Sequence, residues 1–142
     1  MKILAIRLKN LASLAGPFEI DFTAEPLASA GLFAITGPTG AGKSTLLDAL
    51  CLALFGAVPR LNNTGRDAKV PDADGEIATG DPRTLLRRGT GEGYAEVDFV
   101  GIDGRRYRAR WEANRAREKA GGKLQASRQS LRDIDQDQLL AS

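Results

Sequence analysis

With 142 residues, the chain has room for one domain or for one lobe of a larger one, and its 42% hydrophobic and 27% charged residues are ordinary for a globular protein. It has no histidine and a single cysteine, Cys51, which excludes Ser-His and Cys-His nucleophilic pairs, His-ligated metals, an internal disulfide and a multi-cysteine zinc site within the chain. A net charge of +2 does not make the whole chain a polyanion binder, no apolar run approaches the ~18 residues of a membrane span, and Met1–Lys9 is interrupted by Arg7, so no signal peptide is predicted and a cytoplasmic location is expected.

Leu4, Ile6 and Leu8 share one parity and Arg7 and Lys9 the other, which predicts a half-buried first strand. After a turn over 10–16, Phe18, Ile20 and Phe22 alternate with Glu19 and Asp21 in a second strand, and 23–30 read as a loop. Leu32-Phe33-Ala34-Ile35-Thr36 is a short continuous apolar run, the pattern of a strand buried on both faces. A helix is predicted over Lys43–Phe55, with Leu46, Leu47, Leu50, Leu54 and Phe55 as its apolar stripe and Gly56 as its C-terminal cap. Cys51, Leu52 and Ala53 make that helix apolar nearly all round, so burial is expected, with Cys51 a structural thiol and Asp48 solvent-facing or locally paired.

Residues 56–82 carry Gly, Asn, Asp and Pro without periodicity and predict a long irregular loop, acidic over 62–82 at a local −3 from Arg66 and Lys69 against Asp67, Asp72, Asp74, Glu76 and Asp81. Alternation resumes at 94–102, where Ala95, Val97 and Phe99 oppose Glu96 and Asp98; Asp103-Gly104 signals a hairpin, and the return strand sets Tyr107, Ala109 and Trp111 against Arg106, Arg108 and Arg110. Leu124–Ile134 predicts one more exposed strand. Between Arg105 and Arg132 ten cations stand against Glu112 and Glu118, a local +8. The Arg106, Arg108 and Arg110 row reads either as solvated surface or as a sequence-independent DNA phosphate-binding stripe, with Tyr107 and Trp111 in the core.

The most specific signal is Gly37-Pro38-Thr39-Gly40-Ala41-Gly42-Lys43-Ser44, a Gly-x4-Gly-Lys-Ser phosphate loop (Walker A) between an apolar run and a helix. A triphosphate crowds negative oxygens together, so its cradle needs many donors and little side-chain bulk. Glycines let backbone N–H groups converge, and the helix start adds free N–H groups and a positive dipole end. Lys43 is placed for the β- and γ-phosphates, where it would neutralise transition-state charge. Ser44 is placed for Mg²⁺, and Thr45 for the α-phosphate. A dinucleotide fingerprint fails on spacing, because Thr45 stands where a third glycine is required, and the glycines of 89–93 precede a strand. No apolar strand ending in Asp-Glu follows, so the chain alone is expected to bind ATP with Mg²⁺ while lacking the rest of a hydrolytic site.

From Met1-Lys2-Ile3-Leu4, Leu8–Leu14 and Ile20–Thr23 through Gly31–Phe55, Pro59-Arg60-Leu61 and Tyr107–Arg117, the sequence resembles the N-terminal ATPase lobes of the SbcC family. These are ABC-type ATPases related to the structural-maintenance-of-chromosomes proteins. The resemblance implies an α/β P-loop NTPase lobe spanning 1–142, with a mixed sheet, antiparallel outer strands over 93–142 and a phosphate-loop helix, incomplete as a domain. It implies further a C-terminal lobe of the same longer chain beyond a hooked coiled coil, and a second copy closing an ATP sandwich. A partner nuclease of the SbcD kind would cut DNA in repair and recombination, in the cytoplasm at the nucleoid. It places Ala12-Ser13 and Leu86-Arg87-Arg88 beside the base and ribose. The other classes that share a phosphate loop are the nucleotide-binding component of a transporter, a small kinase and a non-hydrolysing sensor. The transporter reading lacks an aromatic residue near Ala12 and Ser13 to stack on adenine.

Overall fold

The computed structural model describes residues 1–62, 67–73 and 75–142. Strands β1 (Lys2–Lys9), β2 (Phe18–Asp21), β3 (Lys69–Asp72), β4 (Gly75–Ala78), β5 (Glu92–Val100), β6 (Arg106–Asn114), β7 (Arg128–Asp133) and β8 (Gln138–Ala141) accompany one α-helix, α1 (Lys43–Phe55). Six strands form a sheet ordered β2-β1-β5-β6-β7-β8, and β3 pairs with β4 alone. Every pairing among these strands is antiparallel, so the mixed sheet expected from the sequence is not formed.

One face of the sheet carries the core. Ile6 and Leu8 of β1, Ala95 and Val97 of β5, and Trp111 and Ala113 of β6 are buried against Ala49, Leu52 and Ala53 of α1. Small residues on that helix face let the backbone approach the sheet closely, and Trp111 fills the remaining volume at 0% exposure. The predicted parity holds with one change, a register shift between Ile3 and Ala5. It makes Leu4 the extra residue and turns Ile3 onto the core side, opposite Phe99.

The helix itself corrects the sequence reading. Its buried face is Thr45, Asp48, Ala49, Leu52 and Ala53, whereas Leu47 and Phe55 of the predicted stripe are 59% and 71% exposed. Cys51 is half-buried. A helix apolar all round does not reveal which side meets the sheet, and here the side with the smallest residues does. Its C-terminal cap is as predicted: Gly56 takes φ 66°, and its N–H donates to Leu52 O at 2.8 Å.

Leu32–Thr36 pairs with no strand, and Leu32, Phe33 and Ile35 are 92%, 48% and 44% exposed. The reason is topological: β2, not this segment, flanks β1, and a doubly buried strand needs neighbours on both edges. Phe33 instead stacks on Phe22, with ring centroids 5.1 Å apart. The described residues of 56–85 hold 3-10 turns at Pro59–Leu61 and Pro82–Leu85 and the paired strands β3 and β4, where an irregular loop was expected, and Arg66 and Asp74 of the acidic count lie outside the described residues. Asp103-Gly104 makes the predicted hairpin, with Gly104 at φ 78° and Gly101 N–H donating to Arg105 O at 2.9 Å. The strand predicted over 124–134 is β7, and β8 beyond it gives no sequence signal because Gln138-Leu139-Leu140-Ala141 has no alternation and is exposed throughout.

Candidate functional site: the phosphate loop and the basic sheet face

The phosphate loop is set by the helix that follows it. Gly42, at φ 102°, caps the N-terminus of α1, and Gly40 is at φ 84°; both conformations favour glycine. A side chain at Gly42 would also stand 2.7 Å from Leu14, so this glycine lets the 10–14 turn close over the loop, while Gly40 has open space around it. Ala41 N–H donates to Pro38 O at 3.1 Å, tightening the loop.

The N–H groups of Gly40, Gly42, Lys43, Ser44 and Thr45 make no backbone hydrogen bond with any described residue, the state expected of a helix start aimed at an anion. They surround a depression of about 340 Å³ lined by Ser13, Thr39, Gly40, Gly42, Lys43, Ser44 and Thr45. Lys43 Nζ donates to Gly37 O at 2.5 Å and Pro38 O at 2.8 Å, which holds the ammonium over the loop. Ser44 is exposed, and Thr45 is buried except where it borders the depression. An ammonium, unpaired amides and the four hydroxyls of Ser13, Thr39, Ser44 and Thr45, without a carboxylate among the lining residues, form a donor set that fits a polyphosphate with its counter-cation.

Of the residues expected beside the base and ribose, Ala12-Ser13 and Leu86-Arg87-Arg88, only Ser13 lines the depression. Arg87 Nη1 donates to Ser13 O at 2.6 Å and to Ala12 O at 3.5 Å, because the left-handed turn at Ala12 (φ 47°) leaves those carbonyls without other acceptor duties. Arg87 therefore braces the wall from behind. Its backbone is fixed as well, with Arg87 N–H donating to Asn10 O and Ala12 N–H to Leu85 O, each at 2.8 Å.

Asp48, four residues after Ser44 on α1, is buried and held by Arg60, whose Nε lies 2.9 and 2.8 Å from its two carboxylate oxygens. Of the two readings open for Asp48, the local pair is the observed one. Its arginine partner was not legible, because the two residues meet only once the 3-10 turn brings Pro59-Arg60-Leu61 back against the helix.

The arginine row of β6, open in the sequence to reading as a solvated face or as a DNA phosphate-binding stripe, is a set of arginines already paired with carboxylates. Arg108 donates to Asp98 at 2.7 and 2.9 Å, Arg110 to Glu96 and Glu112 at 3.1 Å, and Arg106 pairs with Asp135. Arg7 reaches Glu19, Glu96 and Asp98 from β1, Arg132 pairs with Asp137, and Arg110 lies over the Tyr94 ring at 4.0 Å. Cross-strand register explains the lattice, since Glu96 and Asp98 stand opposite Arg110 and Arg108. Burial opposes ionisation of Asp98, yet hydrogen bonds from Arg108 and Arg7 hold its carboxyl below the ordinary range. The +8 counted along the sequence is largely cancelled in space.

Set beside known proteins, residues 5–142 match the family model described as AAA domain, and the chain belongs to this family of nucleotide-binding domains. Over its whole length it is 71% identical to the SbcC subunit of the SbcCD nuclease from Pseudomonas aeruginosa and 59% identical to its counterpart from Rhodobacter capsulatus, covering 12% of each. Over 76% of its length it is 35% identical to the probable DNA double-strand break repair Rad50 ATPase of Aquifex aeolicus, of which it covers 9%. The chain thus spans about an eighth of the curated relatives that it matches end to end. Among the described residues, no helix is long and apolar enough to cross a membrane.

Proposed function

We propose that this chain is the ATP-binding N-terminal lobe of an SbcC-like protein in an ATP-dependent DNA exonuclease and hairpin endonuclease of repair and recombination, working in the cytoplasm at the nucleoid. The observation that carries the reading is the phosphate loop itself, where Lys43 and the unbonded amides of Gly40, Gly42, Lys43, Ser44 and Thr45 border one open depression. ATP supplies the reactive phosphoanhydride, and Mg²⁺ neutralises its phosphate oxygens. The amides of Gly40, Gly42, Lys43, Ser44 and Thr45 bind the phosphate oxygens. Lys43 would exchange the carbonyls of Gly37 and Pro38 for phosphate oxygens, Ser44 Oγ would ligate the metal, and Ser13, whose carbonyl Arg87 holds, would bound the nucleotide's sugar side.

Binding of this kind stabilises ground state and transition state alike and does not lower the chemical barrier. The depression has no lining carboxylate to orient water, so hydrolysis requires groups from elsewhere. The exposed Leu32–Thr36 segment and the outward face of α1 support a source. Phe22, Phe33, Ile35, Leu47 and Leu50 line an apolar cleft of about 410 Å³ that a C-terminal lobe of the same longer polypeptide would cover. A second copy would then close an ATP sandwich, and an SbcD-like nuclease would cut DNA.

Phosphate release by purified 1–142, alone and with the complementary lobe, tests the reading. The lone chain is expected to turn over barely above background, and the added lobe to raise the rate by orders of magnitude. Robust turnover by the lone chain, lost in Lys43→Ala, would place a complete site within these residues and sink the reading.

A further inference from the structure

Pairing along β6 raises the question of which cations remain free for a polyanion. Among the described residues, Lys2, Lys69, Arg88, Arg117, Lys119 and Lys123 are exposed and form no ion pair with any described residue, and four of these, Arg88, Arg117, Lys119 and Lys123, belong to one region. Three of them sit on one closed loop, in which Ala116 N–H donates to Lys123 O at 2.8 Å and Gly122 N–H to Lys119 O at 2.8 Å. The fourth is beside it. Arg115 N–H donates to Gly91 O at 2.7 Å, and Gly91 packs so tightly on the Glu118 carbonyl that a Cβ there would fall within 1.8 Å.

The loop is built to hold this shape. Gly122 admits no side chain, since a Cβ would stand 2.4 Å from Ala116 O, and Arg117 and Glu118 both take left-handed φ, 56° and 54°. Consecutive non-glycine residues in that region are disfavoured and persist where surrounding contacts impose them. Arg115 anchors the base of the loop, donating to Asp72 of the β3–β4 hairpin at 2.7 and 3.1 Å. Within the loop only Glu118 opposes the cations, and the nearby Glu92 is already engaged by Lys9.

We propose that Arg88 and the 116–123 loop form the duplex-DNA backbone contact of this lobe, in place of the β6 arginine row. This rests on the reading of the chain as part of a DNA-processing ATPase. Free cations release condensed counterions on meeting phosphates, whereas paired ones must first give up a carboxylate. Neither 87–91 nor 115–123 contains an aromatic residue to stack on bases, which favours a duplex backbone over single strands. The segment is also tied to the nucleotide: Arg88 follows Arg87, whose guanidinium holds the Ser13 wall of the phosphate-loop depression.

The experiment uses the full-length assembly with MgATP and a fluorescein-labelled blunt duplex, measuring affinity across a salt series. Replacing Arg88, Arg117, Lys119 and Lys123 together by Gln is expected to lower the slope of log K against log[salt] by about 0.9 per lost contact, up to about 3.6. Replacing Arg106, Arg108 and Arg110 by Ser should leave that slope nearly unchanged. A flat response in the first variant, or the larger loss in the second, overturns the proposal, as does a first variant that keeps its DNA slope but no longer binds the partner nuclease. Should the multiple variant fold poorly, Arg88→Glu and Lys119→Glu singly carry the test, each expected to weaken binding several-fold; unchanged affinity in both overturns it. If the wild-type assembly neither binds duplex nor hydrolyses ATP, the functional reading fails; if it does both and the Gln variant matches it, only the loop assignment fails.

Discussion

Two regions of this molecule concentrate positive and donor groups, and they do opposite things with them. In the phosphate loop, among the described residues, the amides of Gly40, Gly42, Lys43, Ser44 and Thr45 have no backbone partner and the Lys43 ammonium is held by two neutral carbonyls. On the outer sheet, Arg7, Arg106, Arg108, Arg110 and Arg132 each meet a carboxylate. Open donors are a binding site in waiting, because a ligand gains their full hydrogen-bonding capacity. Paired donors are architecture, because a ligand must displace what already satisfies them. Sequence similarity of charge is therefore no guide to similarity of role.

The strongest test of that contrast is Lys43→Ala. Loss of an ammonium that bonds charged oxygens should weaken MgATP binding by about 100-fold or more, measured calorimetrically on a folded variant. Unchanged affinity would show that the loop does not bind phosphate. Asp98→Asn should act on stability and leave nucleotide affinity alone. It leaves Arg7 and Arg108 without their shared carboxylate, at a cost of about 2 kcal/mol in thermal or urea unfolding. Nucleotide affinity that fell with it would mean the two regions are coupled.

The pH dependence is subtler. Asp98 and Asp72 have carboxyls held below their ordinary range, Asp98 by Arg108 and Arg7 against the opposing effect of burial, Asp72 by its hydrogen bond from Arg115. A depressed carboxylate stabilises the fold above its unfolded pKa of about 4, and that stability drains away as pH falls through the lower folded pKa. Unfolding followed from pH 7 to 2 should show the loss confined below about pH 4, and Asp98→Asn should diminish it. The smallest effect is expected of Arg106→Ser. Its pair with Asp135 is about half exposed on both sides, 55% and 44%, so solvent screens it and removal should leave the unfolding midpoint nearly unchanged. A larger cost would mark the outer row as a cooperative lattice instead of a set of separate pairs.

How much was legible in the sequence differs between these regions for a physical reason. The phosphate loop was readable because its function depends on consecutive residues: glycines that permit left-handed φ at 40 and 42, then Lys43 and Ser44 on the first helical turn. The Asp103-Gly104 hairpin and the Gly56 cap were readable on the same grounds, since backbone conformation is set locally. Strand parity fixed the Val97 and Trp111 core, though not the bulge that exchanges Leu4 for Ile3, which depends on how β5 pairs. Tertiary structure alone decided which face of α1 is buried, because an all-apolar helix offers no local sign. It alone showed Arg87 behind the Ser13 wall and Arg60 on Asp48, contacts spanning 74 and 12 residues. It alone decided which arginines are free, because a cation's availability depends on the carboxylate that register and turns bring opposite it.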